Sequence, residues 1–329
     1  MNICIVTNNR NSSIFSNNLI AANKQLGNST DMFELNYDKS VQEERDRLLS
    51  VIEQKNIDIA LFLNDFRFSD QSFFINQTIA ERVDCRLWVW DAMHDMGDLK
   101  NHIHLYSQIY SFEINDIIQL KKHFSIQGTY LPLFAGPEFY ASPRTSEDKQ
   151  DIDIFFIGTI AGIKKRLDIL EVAAKLAYTN NYKMLVLGRI WHSNHFHQRI
   201  IGKWKFKRKY PYLSKFVENK VLTSSEVLEY YKRSKINLNI HIEGHTCYNC
   251  RTFEVMANNN FLLSDRQNTC NLIIEEGKHF DTYATTDELV DKIKYYMNHE
   301  DVRNQISLTG GKLIREEYNL INELKIIFS

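Results

Sequence analysis

The sequence predicts an α/β protein of two units, each built around a parallel sheet. Three observations carry that expectation. Strand-like apolar runs alternate with helix-like segments through both halves, the pattern of a parallel sheet covered on both faces. The alternation breaks once, over Phe134 to Asp151, where Gly136, Pro137 and Pro143 lead into the polar run Arg144 to Asp151. The 329 residues also suffice for two domains of ordinary size. The expected division is 1–140, a linker at 141–151, and 152–329.

Taken in order, Asn2 to Thr7 is a β-rich apolar run, and Ser13 to Leu26 has helical periodicity with Gly27 as a stop signal. Met32 to Leu35 reads as a strand, Val41 to Gln54 as a helix, and Ile57 to Leu63 as a strand that turns at Asn64 and Asp65. Arg86 to Trp90 is a further strand ending in Asp91, with His94 close behind, and Gln108 to Phe112 and Thr129 to Leu133 are two more. Asp65, Asp91 and His94 follow strand ends. They would therefore line the carboxyl edge of the sheet, where ligands of open α/β sheets bind. The second sheet starts with Ile152 to Ile157, followed by Gly158 to Gly162 and a helix opened by Lys164, Lys165 and Arg166. Lys183 to Leu187 is its next strand, closed by Gly188 and Arg189. Glu226 to Lys232 is a helix capped by Ser224 or Ser225, and Ile236 to Ile240 a strand. After the segment at Asn249 come an edge strand, His279 to Tyr283, and helices over Asp287 to Asn298 and Asp301 to Tyr318.

Composition narrows the function classes. The chain is 43% hydrophobic and 25% charged, with a net charge of -1. It is globular and has no general drive toward nucleic acid or anionic lipid, so any anion site must be local. Five scattered cysteines and no secretory signal at Met1 predict a reduced, cytoplasmic setting. Cys247 and Cys250 form a CxxC, but no second pair or histidine cluster completes a zinc site.

The chemistry concentrates in Asn249 to Asp265, read as a helix, a turn at Asn258 to Asn260, and a buried strand. Asn249 can cap the helix by accepting a first-turn amide, and Asn tolerates the left-handed turn conformation. Arg251 and Glu254 are three apart and share a face. Arg251 sits in the first turn, where exposed amides already attract anions. A nucleoside diphosphate fits, with phosphates on Arg251 and the helix start and ribose hydroxyls on Glu254. An intrahelical ion pair is the alternative. Gly158 with Thr159, Arg166, and Gly188 with Arg189 add small residues and cations at other strand ends. The Gly158 segment is neither a P-loop nor a GxGxxG fingerprint.

The run Asn-Cys-Arg-Thr-Phe-Glu-Val-Met-Ala followed by Phe-Leu-Leu-Ser-Asp resembles the donor-site segment of GT-B glycosyltransferases, in particular the CgeB-like spore-protein glycosyltransferases. Asp287-Glu288-Leu289, Arg303, Gly310 and Gly311 continue the likeness, and Phe156 to Thr159 with Arg166 and Leu170 resembles that family's first donor-domain strand and loop. The resemblance covers Ile152 to Tyr318. It implies two Rossmann-like domains facing across a cleft, the first for a hydroxyl acceptor (glycan, lipid-linked or protein), the second for a nucleotide sugar. It also implies that Glu254 binds the ribose and that Arg251 with Asn249 contacts the diphosphate, with Gly158, Thr159, Arg166 and Arg189 completing the pocket. The donor would be a UDP- or GDP-sugar, in a bacterial polysaccharide setting. One position departs. Many retaining members carry a Glu eight residues before the ribose-binding one, and this chain has Thr246 there, with Glu243 the nearest acid.

No metal-binding Asp-x-Asp stands near the donor loop, so the expected transfer is metal-independent. An inverting reaction needs a base for the acceptor hydroxyl. Asp91 is the first candidate, then His94 and Asp65, with a helix cap or a surface histidine as the plainer roles. A nucleotide-sugar epimerase of the same fold and a non-catalytic nucleotide- or sugar-binding module are the alternatives. Two stretches stand apart. Trp191 to His197 holds three histidines without a carboxylate partner and reads as loop or core. Lys203 to Tyr210 interleaves cations with aromatics and reads as a solvated loop or, alternatively, a peripheral contact with the inner membrane face or an anionic acceptor.

Overall fold

The computed structural model describes residues 1–8, 13–70, 72–91, 93, 100–189, 196–267 and 272–329, with side chains except at 13–16 and 196–201. The chain divides into two compact units, Met1–Gly136 with Asn319–Ser329, and Pro137–Tyr318.

The first unit runs β1 (Asn2–Asn8), α1 (Ser13–Gln25), β2 (Ser29–Leu35), α2 (Val41–Lys55), β3 (Ile59–Leu63), α3 (Gln77–Ala80), β4 (Asp84–Val89), β5 (Gln108–Ser111), α4 (Ile114–Phe124) and β6 (Thr129–Tyr130). Its six strands lie in the order β2-β1-β3-β4-β5-β6, and every pair is parallel. All five residues of β3 are buried, which is why Ile-Ala-Leu-Phe-Leu is continuously apolar. α2 starts at a capping box between Ser40 and Glu43 and stops at Asn56 in the left-handed conformation. Its Leu48 and Ile52 pack on one sheet face with Val6 and Phe62. Leu19 and Ala22 of α1 cover the opposite face beside Ile3, Ile5 and Trp88.

The terminal helix Leu320–Phe328 belongs to this first unit, not to the second as the boundary 152–329 expected. Its Leu320, Leu324 and Ile327 recur at helical spacing and complete the apolar layer under α1.

The second unit contains β7 (Ile152–Ile157), α5 (Lys164–Asn180), β8 (Met184–Leu187), α6 (Phe196–Lys209), β9 (Val217–Glu218), α7 (Ser224–Arg233), β10 (Ser234–Asn239), α8 (Cys250–Ala257), β11 (Leu262–Asp265), β12 (Asp281–Tyr283), α9 (Thr286–Asn298) and α10 (Glu300–Glu317). Its sheet has the order β12-β11-β10-β7-β8-β9, again all parallel. The winding reverses between β7 and β10, which makes their carboxyl ends the topological switch point. Two local expectations change. α7 is capped by Thr223 in a capping box with Glu226, one residue before the expected serines. Residues 203–209, read as a loop, form the end of helix α6, because Phe206 and Tyr210 stand four apart and both face inward.

Candidate functional site

α8 is fixed at both ends. At its far end Asn259 takes the left-handed conformation that the turn requires, φ 56. Arg315 donates to the Ala257 carbonyl at 2.6 Å and to Asn259 Oδ1 at 2.8 Å, a cation on the orphan carbonyls of a helix C-terminus. Gly311 of α10 permits this approach, since a Cβ there would stand 2.9 Å from the Met256 carbonyl oxygen.

At its start, Asn249 occupies the N-cap position, but its side chain makes no cap bond. This corrects the expected role. The amide pairs sideways instead: Asn239 Nδ2 donates to Asn249 Oδ1 at 3.0 Å, and Asn249 Nδ2 donates to Asn239 Oδ1 at 3.3 Å. Asn239 Nδ2 also donates to the buried Thr252 hydroxyl at 3.1 Å. The Asn249 backbone N–H donates to His241 Nε2 at 3.2 Å. That nitrogen must therefore be the acceptor, and the ring proton sits on Nδ1, 2.6 Å from Asp265 Oδ1. Asp265 also accepts the His241 backbone N–H at 2.9 Å and Lys165 Nζ at 2.6 Å. His241 and Asp265 are both buried. Burial lowers the imidazole pKa from its ordinary value, although Asp265 opposes the shift. Burial would raise the Asp265 carboxyl, but bonding and charge from His241 and Lys165 bring it down to about 2.

His241 escaped the sequence reading. The signal was positional. β10 and β11 are neighbours in register, with Asn239 opposite Ser264, so His241 just past β10 must meet Asp265 at the end of β11.

Arg166 lies across the switch point. Its Nη1 donates to the Thr159 carbonyl at 2.7 Å beyond β7, and its Nε to the Ile240 carbonyl at 2.8 Å beyond β10. Arg251 Nη1 donates to Asn239 Oδ1 at 3.1 Å. Both guanidinium groups converge on Gly158: a Cβ there would stand 3.1 Å from Arg251 Nη2 and 3.6 Å from Arg166 Nη1. Burial, reinforced by the Arg251 charge, lowers Arg166 to about 10. The buried Nε of Arg251 has no partner among the described residues. Two cations thus share one loop, each bonded to neutral oxygens rather than to a carboxylate. Such an arrangement favours an anion.

Among the described residues no ion pair joins Arg251 to Glu254. The partly buried Glu254 accepts a bond from the Tyr231 hydroxyl at 3.4 Å. Its carboxyl is pushed up, first by burial and then by Glu138, against the pull of Arg251. Gly158 is joined to the β8 loop through its own N–H, donated to the Leu187 carbonyl at 3.0 Å. Gly188 must be glycine there: a Cβ would overlap the Gly158 carbonyl oxygen and lie 2.7 Å from its carbon. Arg189 follows, exposed.

In the first unit, Asp65 Oδ1 accepts from the Tyr106 hydroxyl at 2.9 Å, and Oδ2 lies 2.7 Å from His102 Nε2. The His102 ring stacks on Phe73 at 3.7 Å. Asp91 is exposed beyond β4. His94 lies outside the described residues, as do Trp191 to His195. Among the described residues, no group of three or more His, Cys, Asp or Glu is placed to hold a metal, and no helix is long and apolar enough to cross a membrane.

Residues 170–328 match the model of a family described as glycosyl transferase-like. No curated protein matches the chain. A glycosyltransferase from Rickettsia africae is similar in structure, with a TM-score of 0.70 at 12% identity, covering 99% of this chain and 96% of that one. Sucrose-phosphate synthase from Thermosynechococcus elongatus gives a TM-score of 0.70 at 10% identity, over 100% and 98% of the two chains. HepE from Anabaena, solved in complex with UDP-glucose, gives 0.69 at 8% identity, over 100% and 99%. The fold of this chain is the GT-B fold of these neighbours.

Proposed function

We propose that this protein is a glycosyltransferase that moves a sugar from a UDP- or GDP-sugar to a hydroxyl acceptor. The carrying observation is the convergence of Arg166 and Arg251 on Gly158 at the switch point, with no carboxylate within bonding distance of either guanidinium among the described residues. A diphosphate supplies the missing anion. Glu254, unpaired with Arg251, takes the ribose hydroxyls, and Asn249 with Thr159 and Arg189 borders the phosphates. Cleavage of the sugar–phosphate bond leaves negative charge on the departing diphosphate. Preorganised guanidinium groups and the start of α8 stabilise that charge more in the transition state than before it, without requiring a metal. The first unit receives the acceptor, and Asp91 is the first choice for the base that takes its proton, ahead of Asp65 and His94. The likeness of Asn249 to Asp265 to the CgeB-like enzymes supports the same reading, as does the UDP-glucose held by the structurally similar HepE. The work of such an enzyme on cytoplasmic nucleotide sugars fits a bacterial polysaccharide pathway.

The test is a thermal-shift panel of UDP, GDP, CMP, dTDP and their sugars, followed by turnover with acceptor. A specific shift by one nucleotide, reduced at least about tenfold in apparent affinity by Glu254→Ala, is expected, since a charge-assisted bond is lost. No shift by any nucleotide would sink the reading. Conversion of donor without acceptor would mark an epimerase instead.

A further inference from the structure

Helix α6 carries a surface that donor binding does not use. Tyr210, just beyond its end, is buried in the second unit's core and Phe206 packs beside it, their rings 5.4 Å apart. Lys203, Trp204, Lys205, Lys207, Arg208 and Lys209 are all exposed. At about 100° per residue, Trp204 and Arg208 form the outermost ridge, with Lys205 on one flank and Lys207 on the other. Trp204 is 60% exposed, and the Arg208 guanidinium carbon lies 5.7 Å from its ring centroid. The helix sequence Phe-His-Gln-Arg-Ile-Ile-Gly-Lys-Trp-Lys-Phe-Lys-Arg-Lys contains no acid. The whole chain carries a net charge of -1, so this is a local concentration of positive charge.

We propose that the outward face of α6 docks on an anionic bilayer, with Trp204 seated at headgroup level. Charge complementarity selects an anionic surface. The single large aromatic on the ridge selects a bilayer among such surfaces: indole is stabilised where its ring meets acyl chains and its N–H stays among polar headgroups. Lysines on both flanks suit a plane of phosphates. Single-stranded nucleic acid would be held by successive stacking aromatics along a basic groove, and among the described residues the exposed face offers one ring, Trp204. The binding is reversible and weakens with salt. It does not depend on the transferase reading.

Co-sedimentation tests it, using the full chain with vesicles of phosphatidylcholine alone or mixed with phosphatidylglycerol. The protein should sediment with the mixed vesicles at low salt and stay in solution with phosphatidylcholine alone. Its tryptophan emission should shift to shorter wavelength on binding. The triple variant Lys205→Gln, Lys207→Gln, Arg208→Gln should bind at least about tenfold more weakly, with an unchanged melting temperature and an unchanged nucleotide-induced shift. Trp204→Phe should remove the emission change. Wild-type protein left in solution with the mixed vesicles would overturn the proposal. So would a triple variant that sediments equally, or tighter binding to a single-stranded oligonucleotide than to the mixed vesicles.

Discussion

Asp265 lies 2.6 Å from His241 Nδ1 and thereby dictates what the other side of that ring can do. With the proton held toward Asp265, Nε2 is free to accept the Asn249 amide at the start of α8. The orientation of the helix that carries Arg251 is therefore set by a buried acid on the neighbouring strand. His241→Ala leaves that amide without its acceptor and opens a cavity, at a cost of about 2–4 kcal/mol. Urea unfolding should show the loss, and the thermal shift induced by the proposed donor nucleotide, UDP or GDP, should shrink with it. Retention of both would mean that the ring does not position the helix.

The same pair sets a pH dependence. An ordinary imidazole takes up a proton near 6.5, and burial delays that uptake in folded His241. Below pH 6.5 the unfolded chain therefore binds the extra proton, and stability is lost as pH falls. Asp265 behaves likewise lower down, its contribution present above 3.8 and lost toward about 2. Denaturation midpoints from pH 7.5 down to 5 should fall, and His241→Gln should flatten the slope. An equal slope in that variant would assign the effect to other histidines.

Arg251 is expected to resist replacement even by lysine. Its guanidinium reaches Asn239 Oδ1 at 3.1 Å through one nitrogen while the other faces Gly158. A single ammonium cannot serve both positions. Arg251→Lys should therefore lower affinity for the proposed donor nucleotide, UDP or GDP, by about tenfold or more, as read by isothermal titration, with little change in melting temperature. Near-normal affinity in the lysine variant would mean that charge alone suffices.

How much of this could be seen in advance differs by element. β3 announced itself because a strand buried on both faces is continuously apolar, and β7 through its apolar run Ile154 to Ile157. The left-handed turn at Asn259 was legible from residue type alone. The 203–209 stretch of α6 was not, because among its described residues Phe206 packs on the core and cations crowd the remainder. The terminal helix was missed because it leaves the second unit's pattern and completes the first unit's. Arg251 and Glu254 stood out through spacing. The Asn239, His241 and Asp265 network did not, since it depends on which strands are neighbours, a fact of topology that no local spacing records.

Gly188 tests the close approach of the two loops. Its φ of 142° and the overlap that any Cβ would make with the Gly158 carbonyl leave no room for a side chain. Gly188→Ala must push the β7 loop away from β8, costing roughly 3 kcal/mol or more and displacing the position on which both arginines converge. Thermal melting and nucleotide binding should fall together. An alanine variant with normal stability and binding would show that the loops are free to separate.

Glu323, in the first unit, provides a separate test. It is 2% exposed in the terminal helix, and its Oε2 has no partner among the described residues. Burial alone pushes its carboxyl up to about 8, against an ordinary value of 4.5. Between those two pH values the folded state holds a proton that the unfolded chain has released. Stability must therefore fall as pH rises from 4.5 to about 8. Glutamine has the shape of the protonated acid and cannot ionise. Glu323→Gln should thus be nearly neutral at pH 5 and stabilising by roughly 2–4 kcal/mol at pH 9. Urea midpoints of both proteins at the two pH values decide it: a wild-type midpoint that does not drop at pH 9, or a variant that gains nothing there, would mean that the buried carboxyl finds a partner when it ionises.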